Sequence, residues 1–210
     1  MGTVLIGLYI ACEVIANVTA SKPVYLLGVV VPAAIFIYTF TFTLIDLIHE
    51  SFGKHGARKV IGAAFLANAL LAAYTQLAVA LPPASFYAGQ KAFAEVLGST
   101  PRIVFASLTA YLMSSWIDTE IFAFWKRVVR GPRWLRVLMS NTFSTFVDSV
   151  VFISLAFYGV MPLWTLIQGQ YVVKMAITLC SLPLIYLVRN RKEVQGLFPV
   201  GGGSPVEVKE

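Results

Sequence analysis

An all-α bundle of six membrane-crossing helices is the fold class that these 210 residues predict, and three observations carry the prediction. Hydrophobic residues make up 58% of the chain and charged residues only 12%, with a mean hydropathy of +0.78. A soluble domain has about a quarter of its residues charged. The apolar residues gather into six runs, each near the ~20 residues that a helix needs to cross the hydrocarbon. The basic residues fall overwhelmingly in alternate connections between those runs, as the positive-inside rule requires of a polytopic protein.

The runs are expected as helices over about residues 3–19, 24–46, 59–81, 102–125, 137–158 and 163–188. Helix is the default because an unpaired sheet edge cannot stand in lipid. Together they form a single transmembrane domain over 1–190, followed by a flexible cytoplasmic tail over 191–210 that contains Gly201-Gly-Gly-Ser-Pro205. The amino-terminal stretch has no basic leader region, and Glu13 interrupts its apolar run, so the first helix is expected to be retained. Between the third and fourth runs, Phe93, Val96 and Leu97 recur at helical spacing opposite Gln90, Lys91 and Glu95. That pattern predicts a short amphipathic helix at the membrane surface.

Lys54, Arg58 and Lys59 follow the second run, Lys126, Arg127, Arg130, Arg133 and Arg136 the fourth, and Arg189, Arg191 and Lys192 the sixth. The opposite connections hold Lys22, Lys91 and Arg102. This asymmetry puts both termini in the cytoplasm. It also accounts for the net charge of +6 without nucleic acid as a partner. The bilayer is the partner instead, and the inner (cell) membrane the expected location.

Several chemistries are excluded by what the motifs lack. His49-Glu50 begins a pattern like the zinc-protease helix, but Gly53 stands where the second histidine is needed. No metal site is expected, and no cofactor. Cys12 and Cys180 lie alone in apolar runs, with no Cys-x-x-Cys pair. A phosphate-binding loop and a nucleophile elbow are likewise absent from the sequence, so an enzyme is not expected.

The chemistry resides in ionisable and polar residues inside the runs. A charge at bilayer depth costs about 2.5–3.5 kcal/mol on insertion scales, so it faces a partner, a cavity or a pathway. Tyr111, Ser114, Ser115 and Asp118 share one face of the fourth run, and Asn141, Ser144 and Asp148 share a stripe of the fifth. Lys174 lies inside the sixth, and Asn17 near the end of the first. These nine are the candidate substrate site. Glu13, Asp46, Glu50 and Glu120 are further acids for substrate or proton coupling. Within the spans, Glu13, Asp118, Glu120 and Asp148 outnumber the one base, Lys174, so the set is more than helix-to-helix glue.

Five segments in register resemble the queuosine precursor transporter family, also described as vitamin uptake transporters or YhhQ-like proteins. They are Ala16-Asn17-Val-Thr-Ala-Ser21-Lys22, Asp46-Leu-Ile-His-Glu50-Ser-Phe-Gly53, Thr100-Pro-Arg102 running on to Asp118, Asn141-Thr-Phe-Ser144 running on to Phe152, and Lys174. Ser115 and Thr142 depart from the family pattern, which often has Gln and Asn there. The resemblance implies a fold similar to the substrate-binding subunits of energy-coupling-factor importers, and uptake of a 7-deazaguanine, preQ0 or preQ1. A carboxylate such as Asp118 or Asp148 could accept the two donors on one edge of that base. Asn141 and Lys174 would serve its other polar groups, and Tyr111, Trp116 or Phe152 its flat face. A second copy of the chain or an energising module is left open as partner; Ala16/Ala20 and Ala63/Ala67 have the spacing used in such docking. Import of another vitamin or nucleobase, and a binding or assembly module that does not transport, are the alternative readings.

Overall fold

The computed structural model describes residues 2–26, 28–128 and 133–179. Helix α1 covers Gly2–Thr19, and a two-stranded antiparallel hairpin follows, β1 at Pro23–Leu26 and β2 at Val29–Pro32. Helix α2 covers Ile35–Ala80, α3 Gln90–Leu97, α4 Thr100–Val128 and α5 Arg133–Phe157. Residues 163–179 form α6. Expected tail residues 191–210 and the end of the sixth run lie outside the described residues, as does Cys180.

The expected helix over 24–46 is corrected here: it starts at Ile35, and the residues before it pair as strands. The reason is local. Pro23 and Pro32 bracket the segment, Val24, Val29, Val30 and Val31 favour the pleated backbone, and Gly28 takes φ 92° in the turn. Run length alone could not separate these strands from a helix, since short apolar runs are ambiguous. The hairpin is not loose. Val31 is fully buried, and Val30 packs on the core of Ala34, Ile153, Phe157 and Leu166. On α6, a Cβ at Gly169 would stand 2.1 Å from the carbonyl oxygen of Val30, so only glycine allows that approach.

A second departure concerns the connection expected between the second and third runs. It is helical throughout except at Gly53, whose φ of 67° and ψ of −179° break α2 into two arms. That combination is reached essentially by glycine alone. Gly53 thus marks where the first arm ends and the second begins.

Two cores hold the bundle. One lies between α1 and the arms of α2, around Tyr9, Cys12, Leu44, Ile48, Val60 and Ala64. The other lies toward the hairpin, where α1, α4, α5 and α6 meet at Ala16, Ala20, Ile103, Ala106, Ile153 and Leu166. Arg102 of α4 locks the α5 terminus, its Nε donating to the Leu155 carbonyl at 2.7 Å and a terminal N–H to that of Tyr158 at 2.8 Å. Those carbonyls have no partner within their own helix.

The outer surface is apolar. Along the second arm of α2, Leu66, Leu70, Tyr74 and Leu77 are exposed on one face, Leu66 by 74% and Leu70 by 69%. Gly2–Thr19, His55–Ala80 and Gln90–Asp118 are long and apolar enough to cross a membrane, and Ile35–His49 and Asn141–Phe157 are shorter apolar helices. A bare apolar stripe of this extent suits lipid, not water. The chain is a mostly helical, multi-pass membrane protein. Helix α3 forms where the amphipathic pattern predicts it, with no residue buried.

Candidate functional site

A cleft opens where the two cores meet, in the half of the bundle nearer the hairpin. It holds about 490 Å³ of empty space, open solvent at its mouth included, of which the centre of a water molecule can occupy about 40 Å³. The cleft is therefore a narrow slot. Its walls come from six elements: Glu13 and Asn17 of α1, Pro32 of β2, Tyr38 of α2, Ser107 of α4, Asp148 and Phe152 of α5, and Gln170 and Lys174 of α6.

Helical geometry gathers these residues. Glu13 and Asn17 are one turn apart on α1, as are Asp148 and Phe152 on α5, and Gln170 and Lys174 on α6. The ion pair at the centre joins α5 to α6: Lys174 Nζ bonds the Asp148 carboxylate through Oδ2. Their side chains are 9% and 15% exposed, so the pair is shielded from solvent. The same ammonium lies 5.0 Å from the centre of the Tyr38 ring, within cation–π range. The Glu13 side chain lies near the hydroxyl of Thr41 on α2, which donates to the Tyr38 carbonyl at 2.7 Å. Asn17, 4% exposed, donates from Nδ2 to the Glu13 carbonyl at 3.2 Å and to Asn68 Oδ1 at 2.8 Å.

Of the thirteen residues singled out in the sequence, the structure brings Glu13, Asn17, Asp148 and Lys174 together at the slot. Asp118 of α4 and Ser144 of α5 meet in a separate contact, with Ser144 also in reach of the Asn141 carbonyl of its own helix. Ser144 Oγ is 3.3 Å from Asp118 Oδ1 and 3.4 Å from the Asn141 carbonyl, both within donating reach. Tyr111, Ser114 and Ser115 lie between slot and this contact without lining the slot. Ser114 donates to the Tyr111 carbonyl at 3.2 Å, Tyr111 and Ser115 share a side-chain hydrogen bond, and the Tyr111 ring meets Phe65 edge-on at 6.1 Å. Glu120 is exposed and borders an open groove with Ile121, Phe124 and Phe143. Asp46 and Glu50 lie on the first arm of α2, their side chains outside the described set. Trp116 is 68% exposed and away from the slot, whereas Phe152 lines it.

Besides Pro32 and Ser107, the slot and near-slot residues that were not anticipated include Gln170, Asn68 and Tyr38. Gln170, 3% exposed, sits one turn from Lys174, so the same-face rule applied to Lys174 would have found it. Asn68, 2% exposed, is a polar side chain inside an apolar run, which signals a helix–helix or cavity contact. Tyr38 carries no such signal, being one aromatic among several in its segment.

The slot combines hydrogen-bonding and aromatic groups in a largely buried setting. Acceptors come from carboxylate and amide oxygens, donors from the ammonium and amide nitrogens, and flat surfaces from Tyr38 and Phe152. Among the described residues no group of His, Cys, Asp and Glu is arranged to hold a metal ion.

A family model described as "Putative vitamin uptake transporter" matches residues 32–188. The chain is also 29% identical over 192 residues to a protein of Bacillus subtilis (strain 168) named "Probable queuosine precursor transporter", covering 89% of this chain and 82% of that one. No solved structure matches the chain.

Proposed function

This chain belongs to the vitamin uptake transporter family, and from that premise we propose that it imports a queuosine precursor, a 7-deazaguanine such as preQ0 or preQ1, through the slot at Glu13, Asn17, Asp148 and Lys174. One observation carries the reading: two acids, one base, two amides and two aromatic faces converge on a single narrow cleft inside a lipid-exposed bundle. Transporter sites tend to lie between helices near the bilayer midplane. The name of the Bacillus subtilis relative supports the substrate class.

A 7-deazaguanine offers an N–H and an exocyclic amine along one edge, which a carboxylate accepts as a bidentate pair. Asp148 has Oδ2 engaged by Lys174, so Glu13 takes both donors in this reading, giving up its contact with Thr41. Lys174 then donates to the base carbonyl while holding Asp148 in place, and Tyr38 and Phe152 cover the ring faces. Asp118 and Ser144 lie toward the other end of the bundle, along the path that a released base would follow. Six crossings, cytoplasmic termini and the inner membrane complete this reading. Transport is driven by trapping of the product, by a proton or by an energising partner. The family description favours import of another vitamin as the second reading.

The test is a thermal-shift screen of detergent-purified protein against preQ0, preQ1, guanine, queuine and several vitamins, followed by uptake into cells. Ligand at 100 times its Kd adds about 2.7 kcal/mol to the folded state. A shift with a 7-deazaguanine, lost in Glu13→Gln or Asp148→Asn, is the expected result. A cooperative melt that no 7-deazaguanine moves would sink the substrate assignment.

A further inference from the structure

The amide of Asn17 is gripped from behind by a residue with no role in the preceding reading. Asn68, on the second arm of α2, donates from Nδ2 to the Ala64 carbonyl at 3.0 Å, one turn back along its own helix. Its Oδ1 is thereby turned toward α1, where it accepts from Asn17 Nδ2 at 2.8 Å. Asn17 Nδ2 also donates to the Glu13 carbonyl at 3.2 Å. An amide nitrogen has two N–H groups, so both of Asn17's are engaged, and what its side chain can offer the slot is the carbonyl oxygen.

The orientation is determined by a backbone acceptor. Reversing Asn68 would set its Oδ1 against the Ala64 carbonyl, and reversing Asn17 would set its Oδ1 against both Asn68 Oδ1 and the Glu13 carbonyl. Either change faces acceptor to acceptor in a buried setting, where an unsatisfied polar group is costly. The chain of bonds from Ala64 through Asn68 to Asn17 therefore transmits one polarity to the slot. We infer that Asn68 is a positioning residue: it locks Asn17 with its carbonyl oxygen toward the substrate, so that this wall of the slot selects an N–H group on the ligand and rejects an acceptor. The inference deepens the transport reading above and rests on it for the nature of the ligand.

The experiment uses the full chain in detergent, with the Asn17 side-chain amide signal assigned by its loss in Asn17→Ala. In the wild type both N–H groups of that amide are protected from deuterium exchange; in Asn68→Leu, which has no acceptor, the N–H directed at residue 68 loses its protection while the one on the Glu13 carbonyl keeps it, and the Kd for preQ1 rises about tenfold. Asn68→Asp, held neutral by burial so that its O–H replaces the donor to the Ala64 carbonyl, keeps an acceptor for Asn17 and retains both protection and affinity. Melting temperature is read separately, since a merely structural Asn68 would lower it in Asn68→Leu while leaving the Kd of the folded protein unchanged. That outcome, or an Asn17 amide indifferent to Asn68→Leu, overturns the proposal. Should Asn68→Leu not fold, Asn68→Ser, whose hydroxyl is too short to reach Asn17, is measured in its place. If the wild type binds neither preQ0 nor preQ1, the substrate reading fails, and amide exchange alone still decides whether Asn68 positions Asn17.

Discussion

Lys174 and Asp148 show what burial does to an ion pair. Each is withdrawn from water, and each is tolerable there because the other is in contact. Removing one partner leaves a buried charge, so Lys174→Met is expected to destabilise the protein by about 3–5 kcal/mol. The double variant Lys174→Met/Asp148→Leu, which removes both charges, recovers most of that stability in a detergent melt yet stays inactive in uptake. Recovery of transport together with stability would show the pair to be structural only. At this scale much was legible: Glu13, Asn17, Asp148 and Lys174 stand out because polar groups inside apolar runs need a reason to be there. The same rule swept in Asp118 and Ser144, which belong to a different contact. A shared helix face settles the direction of a side chain but not its height. Asp118 lies eleven residues beyond Ser107 on α4, roughly 16 Å along the axis.

Two glycines govern how the elements meet. Gly53 holds a backbone conformation that side chains avoid, with open space around it. Its replacement by alanine is therefore a backbone effect, expected to lower stability by about 1–3 kcal/mol; an unchanged melting temperature would mean the two arms of α2 meet in some other way. Gly169 is the opposite case, ordinary in backbone but pressed against the hairpin at the Val30 carbonyl. Gly169→Ala must push the hairpin away, with an expected loss of about 1–3 kcal/mol. Because Pro32 at the hairpin end lines the slot, ligand affinity should fall as well, and a binding measurement at constant folded fraction would detect it. The hairpin itself was hidden from the sequence, because its apolar residues read equally well as a helical turn. The short helix α3 was legible because its polar and apolar residues alternate with a clear period.

For the whole molecule, the exposed stripe of Leu66, Leu70, Tyr74 and Leu77 is the face that lipid must cover. An arginine at Leu70 is expected to add about 2.5–3.5 kcal/mol to the insertion free energy, read as a fall in the membrane-integrated fraction on expression. The same substitution on a water-facing helix surface would be nearly neutral, so no change would count against a lipid-facing stripe.

Composition and run length determined, without any coordinates, that the chain is helical and membrane-embedded, because the bilayer admits few backbone arrangements and demands long apolar segments. Isolated polar residues within those segments marked four members of the slot for the same reason. Which acid meets Lys174, how Asn68 orients Asn17, and that a hairpin closes one end of the slot were decided by tertiary packing alone. Periodicity along one helix carries angle; depth, partner and hydrogen-bond polarity arise only when the helices are set against one another.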